Sequence, residues 1–177
     1  SNTPKDIIFN GVPNFEWVRL HGGRNSTSAG EYAVKTFRGI SDELYEIIWS
    51  NYDFLDDQSI GSGYHLVKYT LEGSIEWTTS LGRTGWGSDF VTDVVIDSKG
   101  NIYITGSTDY NLNNQTHNGN YDAYISKYDK SGSHSWTKLL VTSNSEASYG
   151  ITLSPNGDIL ITGYTNGSLD GNVGGYG

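Results

Sequence analysis

Apolar and polar residues alternate in short runs along this chain, and clusters of turn-forming residues separate the runs. The clearest stretch is 91–140. VTDVVID (91–97) meets the turn SKGN, and NIYITGST (101–108) sets Ile102 and Ile104 against Tyr103 and Thr105. A polar loop, DYNLNNQTHNGN, follows. DAYISKYD (122–129) then places Ala123 and Ile125 on one face and Tyr124, Ser126 and Tyr128 on the other, and KSGS leads into HSWTKLL (134–140). Period-two runs rich in β-branched and aromatic residues, bounded by Gly, Asn, Asp and Ser, predict four strands. The gaps at SKGN and DKSG are hairpin-sized, so the strands form an antiparallel meander. No stretch carries helical periodicity.

The pattern recurs. YGITLS (149–154), PNGD and DILITGYT (158–165) repeat the first half of this unit, followed by the loop NGSLDGNVGGYG. EYAVKTF (31–37), ELYEIIW (43–49), YHLVKYT (64–70) and IEWTTSL form a more divergent copy, in which Lys68-Tyr69 corresponds to Lys127-Tyr128. DIIFN (6–10) and FEWVRL (15–20) read as the last two strands of a further copy. Trp17, Trp77 and Trp136 fall 60 and 59 residues apart, each in the closing strand of its unit. A four-stranded meander at this period predicts an all-β fold of β-propeller blades, about 60 residues each. The units are 1–20 (last two strands of a blade), 31–81 (a blade), 91–140 (a blade) and 149–177 (first two strands of a blade). Three blades' worth of strands is too few for a ring, which takes roughly four to eight. The exposed blades are therefore expected to pack on further repeats, a second copy of the chain or a protein partner.

Charge narrows the partners. Eleven Lys and Arg face 20 Asp and Glu, a formal net charge of −9. That balance argues against nucleic acid and against an anionic membrane surface. No apolar run approaches the roughly 20 residues that span a bilayer, so membrane insertion is not expected. The sequence contains no Cys and no Met. The first removes disulfide and thiolate chemistry and fits a bacterial protein that is secreted or displayed at the cell surface. The second implies that Ser1 is not a translation start, so a leader was removed or the chain is a piece of something longer.

At GNIYITGST, GNYDAYISKYDKSGSHSWTKLL and PNGDILITGYTNGSLDGNVGGYG the chain resembles the bacterial SBBP family of β-propeller repeats. Related repeats carry a G-N-x-G-G-x-D-x-W/Y stretch, a V-x-K-[LY]-D strand and a W-x-x-x-[LF]-G strand. The likeness is good over 77–177. Over 15–76 it is confined to spacing and to His65-Leu66-Val67-Lys68-Tyr69, with SGSGY in place of GNYDA and DELYEII in place of KGNIYIT. The resemblance implies a non-catalytic extracellular scaffold, often part of a larger adhesin or surface assembly, and supplies no catalytic residues.

Candidate sites are few. One Trp per repeat at 17, 77 and 136 suits a wedge between neighbouring blades better than a sugar platform. Trp49 and Trp86 fall off the period, and Trp86 lies in RTGWGSDF, a loop joining two blades. With Tyr110 and Tyr164 it makes a candidate ligand-binding set. Asp109-x-Asn111-x-Asn113 and Asn166-x-Ser168-x-Asp170 place oxygens at alternate positions, as the start of a calcium loop does, and Asp53, Asp56 and Asp57 fall in the equivalent segment. The closing Glu is missing from all three, and Asx-turns select the same residues. Calcium is the one cofactor the pattern raises. His21, His65, His117 and His134 form no H-x-x-x-H pair. HGGR (21–24) lacks the Lys-Ser/Thr of a phosphate loop, and no G-x-S-x-G elbow occurs. The expected function is a non-catalytic scaffold or interaction module. The alternative is a lectin-like propeller that stacks sugars on Trp86, Tyr110 and Tyr164.

Overall fold

The computed structural model describes residues 31–50, 61–82 and 90–169. Trp17, Trp86, Asp170, the acidic residues 53, 56 and 57 and the unit 1–20 lie outside them. Among the described residues every element is a strand. The first sheet is β1 (Glu31–Arg38), β2 (Leu44–Ser50), β3 (Gly63–Tyr69) and β4 (Ile75–Ser80), paired in that order. The second is β5 (Phe90–Ile96), β6 (Ile102–Thr108), β7 (Asp122–Tyr128) and β8 (His134–Leu140), also in chain order. β9 (Glu146–Leu153) and β10 (Ile159–Thr165) pair as a two-stranded sheet. All pairings are antiparallel. These are blades of the propeller type, two with four strands and one seen through its first two.

Turn chemistry fixes the hairpins. At SKGN, Asp97 Oδ1 accepts the Lys99 and Asn101 amide protons at 2.9 Å each, while Oδ2 accepts from the Asn101 side-chain amide at 2.7 Å and the Tyr103 hydroxyl at 3.1 Å. Asp129 repeats the device at KSGS, accepting from the Ser131 and Ser133 amides at 2.8 and 3.0 Å. A carboxylate that bonds its own turn is the reason Asp precedes both hairpins.

The repeat shows in atomic register. Tyr45 pairs with Lys68 and Lys68 with Trp77, and Tyr103 pairs with Lys127 and Lys127 with Trp136. A bulge follows each row, between Lys68 and Tyr69 and between Lys127 and Tyr128. Each Trp ring rests on the Tyr of its own row, with centroids 5.9 Å apart for Tyr45–Trp77 and 6.3 Å for Tyr103–Trp136. The inner hairpins share a second bulge, at Val34, Thr92 and Tyr149 in turn.

Blades stack by unlike faces. One face of the first sheet (Tyr45, Ile47, Tyr64, Leu66) meets Ile102, Ile104, Tyr124 and Tyr128 of the second in a single buried cluster, which Leu81, Val91 and Leu112 join. Trp77 packs against this cluster, and the Gly132 turn of the second sheet sits on its ring. Thr79 Oγ1 donates to the Gly132 carbonyl at 2.9 Å across the same gap. The opposite face of the first sheet holds a smaller cluster of Ile48, Val67 and Tyr69. Tyr69 and Tyr128 are equivalent in sequence, yet each lies on a different interface. That is what a repeated blade requires, since its two faces meet different neighbours. Trp49, off the period, stacks on Tyr32 with centroids 5.3 Å apart.

The third interface is more polar. β9 packs on β5, β6 and β7. Thr105 Oγ1 donates to the Tyr124 carbonyl at 2.6 Å and lies 2.8 Å from Ser148 Oγ, which donates to the Gly106 carbonyl at 2.9 Å. All of these side chains are buried, and a satisfied network of this kind fixes one arrangement of two sheets.

Candidate functional site

Two regions carry chemistry: the loop between β6 and β7, and the open side of β9–β10. The loop is a compact fold of its own. Leu112 and Gln115 exchange backbone hydrogen bonds at 3.1 and 2.9 Å around Asn113 and Asn114, whose φ values are 47° and 64°. Two consecutive left-handed Asn residues make a type I′ turn, which Asn tolerates better than other side chains. Asn111 Oδ1 accepts the His117 amide proton at 2.9 Å, and Asn113 Nδ2 donates to Thr137 Oγ1 at 2.8 Å. His117 Nδ1 lies 2.9 Å from Asp122 Oδ2, which also accepts the Asn118 amide proton at 2.9 Å. Asp122 is fully buried at the start of β7, and its Oδ1 has no hydrogen-bond partner, nor does Asp109 Oδ1.

The oxygens picked out by alternate spacing are thus spread over turn-holding contacts. In the second candidate loop, the Asn166 amide donates to the Ser145 carbonyl at 2.9 Å, and Ser168 lies further along it. Among the described residues no three His, Cys, Asp or Glu side chains gather where they could hold a metal ion.

Spacing alone missed three carboxylate sites, two of them buried and one half-buried. Glu146, 1% exposed, accepts from the Thr142 amide at 2.9 Å and from the Thr142 and Thr165 hydroxyls at 2.6 and 3.0 Å, tying the start of β9 to the end of β10. Asp122 is the second. Asp93 on β5 is the third. It bonds Lys35 Nζ on β1 and accepts the Ile151 amide proton on β9 at 3.0 Å, so one carboxylate joins the first strands of all three sheets. Partial burial raises the Asp93 pKa, but hydrogen bonds from Lys35, Ile151 and Val94 outweigh it and hold the group below the ordinary carboxylate range. Alternating polarity cannot reveal such ties, because their partners lie 58 residues away.

These groups make stability depend on pH. His65 is fully buried, donates to the Gly61 carbonyl at 3.1 Å and has an unpartnered Nδ1. Burial lowers its pKa below the ordinary 6.5, and the hydrogen bond to Gly61 opposes the shift only in part. Below pH 6.5 the unfolded chain therefore binds a proton that the folded site resists, and stability falls as the solution is acidified. Asp93 adds stability above its unfolded pKa, near 3.8, and that contribution is lost as pH falls through the lower folded value. Urea midpoints measured from pH 8 to pH 3 are expected to decline in both ranges. Asp93→Ala is expected to cost about 1–2 kcal/mol at neutral pH, discounted for partial exposure, and to shrink the lower decline, to which the turn carboxylates Asp97 and Asp129, also held below the ordinary range, still contribute. An unchanged acid limb in this variant would disprove the tie.

Tyr110 lies in the β6–β7 loop, 38% exposed. Tyr164 lies near the end of β10, 42% exposed, and its ring packs on Tyr149, 64% exposed, with centroids 5.8 Å apart. Tyr110 and Tyr164 make no ring contact with each other. The residue that joins Tyr164 is Tyr149, the bulge residue of β9, which sequence spacing did not select. Leu160, also exposed, shares this sheet with the pair. In the second sheet the equivalent face carries Thr105 and is covered by β9. Among the described residues the same face of β9–β10 is open.

The family model described as Beta-propeller repeat, SBBP, matches residues 76–113 and 135–170. Each match opens on a Trp-bearing strand, β4 or β8, and runs through the first hairpin of the next sheet. An uncharacterized WD repeat-containing protein, L264, of Acanthamoeba polyphaga mimivirus is 29% identical over 119 residues, covering 58% of this chain and 8% of that protein. The chain therefore spans a small fraction of that relative's length. A solved structure of a protein of unknown function from Bacteroides caccae superposes with a TM-score of 0.46 at 9% identity, over 86% of this chain and 43% of that one. Among the described residues no helix is long and apolar enough to cross a membrane.

Proposed function

We propose that this chain, which carries SBBP β-propeller repeats, is a non-catalytic scaffold that binds protein through its blades, in a secreted or surface-displayed bacterial assembly. The observation that carries this reading is the face of β9–β10 that is open among the described residues. Leu160, Tyr149 and Tyr164 stand there in the place where the preceding sheet meets its neighbour. An exposed aromatic and aliphatic patch on a sheet that elsewhere stacks face to face is the chemistry of an interface. Asp93 and Glu146 are occupied in holding strands together, which favours structural over catalytic use of these two carboxylates. The acidic, Cys-free composition supports an extracellular setting.

The test replaces Tyr164 with a photoreactive phenylalanine analogue in the protein expressed in its own host. Irradiation is expected to give an adduct with a polypeptide in the envelope or secreted fraction. Absence of any adduct, or recovery of the protein only from the cytoplasm, overturns the reading. The Tyr149–Tyr164 pair also favours a second reading, a lectin-like site that stacks a sugar ring. In that case the adduct would carry carbohydrate, and a glycan array run with and without calcium would show a ligand.

A further inference from the structure

We infer that Asn114, at the tip of the β6–β7 loop, is an acceptor for an N-linked sugar. This modification goes beyond the protein-binding reading and does not depend on it. Asn-X-Ser/Thr, with X other than Pro, is the sequence that N-glycosyl transfer reads. It occurs at Asn25-Ser26-Thr27, Asn114-Gln115-Thr116 and Asn166-Gly167-Ser168. In a chain rich in Asn, Ser and Thr the triplet recurs by chance, so geometry has to choose among the three. Asn25 lies outside the described residues. The segment 166–168 is pinned. The Asn166 amide donates to the Ser145 carbonyl at 2.9 Å, and the Gly167 amide donates to Thr165 Oγ1 at 3.0 Å. Gly167 is buried, and a Cβ built there would lie 2.0 Å from Thr142 Oγ1. A transferase has to draw the acceptor backbone into its own groove, and this one is walled in.

Asn114 stands differently. Leu112 and Gln115 pair around a two-residue turn, and Asn114 is its second residue, with φ 64°. The two Asn side chains of that turn do different work. Asn113 donates to Thr137 Oγ1 at 2.8 Å and holds the tip on β8. Asn114 is exposed, and its carboxamide makes no hydrogen bond to another described residue. The turn does not call for Asn at this place, since glycine is the favoured second residue of a type I′ turn. Thr116 is also exposed, and its hydroxyl makes no hydrogen bond to another described residue. The two side chains that the transfer uses are thus unengaged. The loop that carries them is held by the buried Leu112 and by the bond from the His117 amide to Asn111 Oδ1. In the transfer, Asn114 Nδ2 forms a bond to C1 of the sugar and loses one proton. The bond from C1 to the phosphate oxygen of the donor breaks, and the phosphate leaves with the electron pair. The donor is a sugar diphosphate linked to a nucleoside or to a lipid, supplied with the transferase by the cell. The product carries a bulky hydrophilic group beside β8, the outer strand of its sheet, where edge-to-edge association has to be prevented.

The experiment takes the full chain from its own host and locates sugar on its peptides by mass spectrometry with electron-transfer fragmentation. Asn114 is expected to carry a sugar and Asn166 none. A single hexose identifies the nucleotide-linked donor, and an oligosaccharide the lipid-linked one. Asn114→Gly and Thr116→Ala should each abolish the modification without lowering the urea midpoint, while Thr116→Ser retains it. A bare Asn114 in the host protein overturns the inference. So does a sugar on Asn166 in its place, or one on Asn114 that survives Thr116→Ala.

Discussion

Ile104→Ala is expected to lower the free energy of unfolding by about 2–5 kcal/mol, the range for truncating a fully buried aliphatic side chain. Ile104 has no exposed surface and stands on β6, an inner strand of the second sheet. Its neighbours in the buried cluster include Tyr45, Ile47, Tyr64 and Leu66 of the first sheet. The cavity left by the truncation would lie between two sheets, each held to its own strands by a complete ladder, so neither can close on it without shifting as a body. Because the cluster spans both sheets, urea unfolding should remain a single transition at a lower midpoint, read by Trp fluorescence and far-ultraviolet circular dichroism together. Leu160→Ala, at a half-exposed position on the open face, should stay within about 0.5 kcal/mol in the isolated chain. A loss below 1 kcal/mol for Ile104→Ala would mean that the first two sheets do not share a core.

Much of this architecture is legible in the sequence, because the information is local. Period-two alternation, Asp before each hairpin and a Trp in each closing strand give the strands and their order. What escapes is long-range or carried by a few residues. β9 begins at Glu146, three residues ahead of YGITLS, because Glu146 and Ser148 are polar and yet buried. Nothing nearby shows that Thr142, Thr165, Thr105 and the Gly106 carbonyl await them. Leu112 reads as part of a polar loop, but a two-residue Asn turn folds it back into the core at 4% exposure. The candidate site is legible to a lesser degree. Tyr164 could be chosen as an exposed aromatic, whereas its partner Tyr149 becomes visible only once the β9 bulge is known. Alternate Asp and Asn residues suggest a cation loop with equal force whether they converge or hold turns, and only geometry separates the two.

The glycine of the repeated ITG triplet gives the sharpest test of the packing. Gly106→Ala is expected to cost about 3 kcal/mol, the upper end of overpacking penalties. A Cβ at Gly106 would lie 1.7 Å from the Phe90 carbonyl oxygen and 2.8 Å from the Tyr124 ring. The first contact is with backbone, so no rotamer change relieves it; β5 must move away from β6, which is held on its other side by β7. Ile48 occupies the equivalent place in the first sheet beside the same kind of bulge, so the bulge alone does not demand glycine. The approach of the Phe90 carbonyl does. It follows that adding Tyr124→Ala to Gly106→Ala should not restore stability, although it removes the ring contact. Gly163→Ala meets a similar obstacle, the Ala147 carbonyl at 2.0 Å, but among the described residues no strand pairs with the other side of β10, which leaves it room to shift outward. Its cost should therefore be smaller, about 1–2 kcal/mol. Thermal and urea unfolding of the three variants decides the matter: equal losses at 106 and 163, or rescue by Tyr124→Ala, would show that confinement between paired strands is not what makes the inner glycine indispensable.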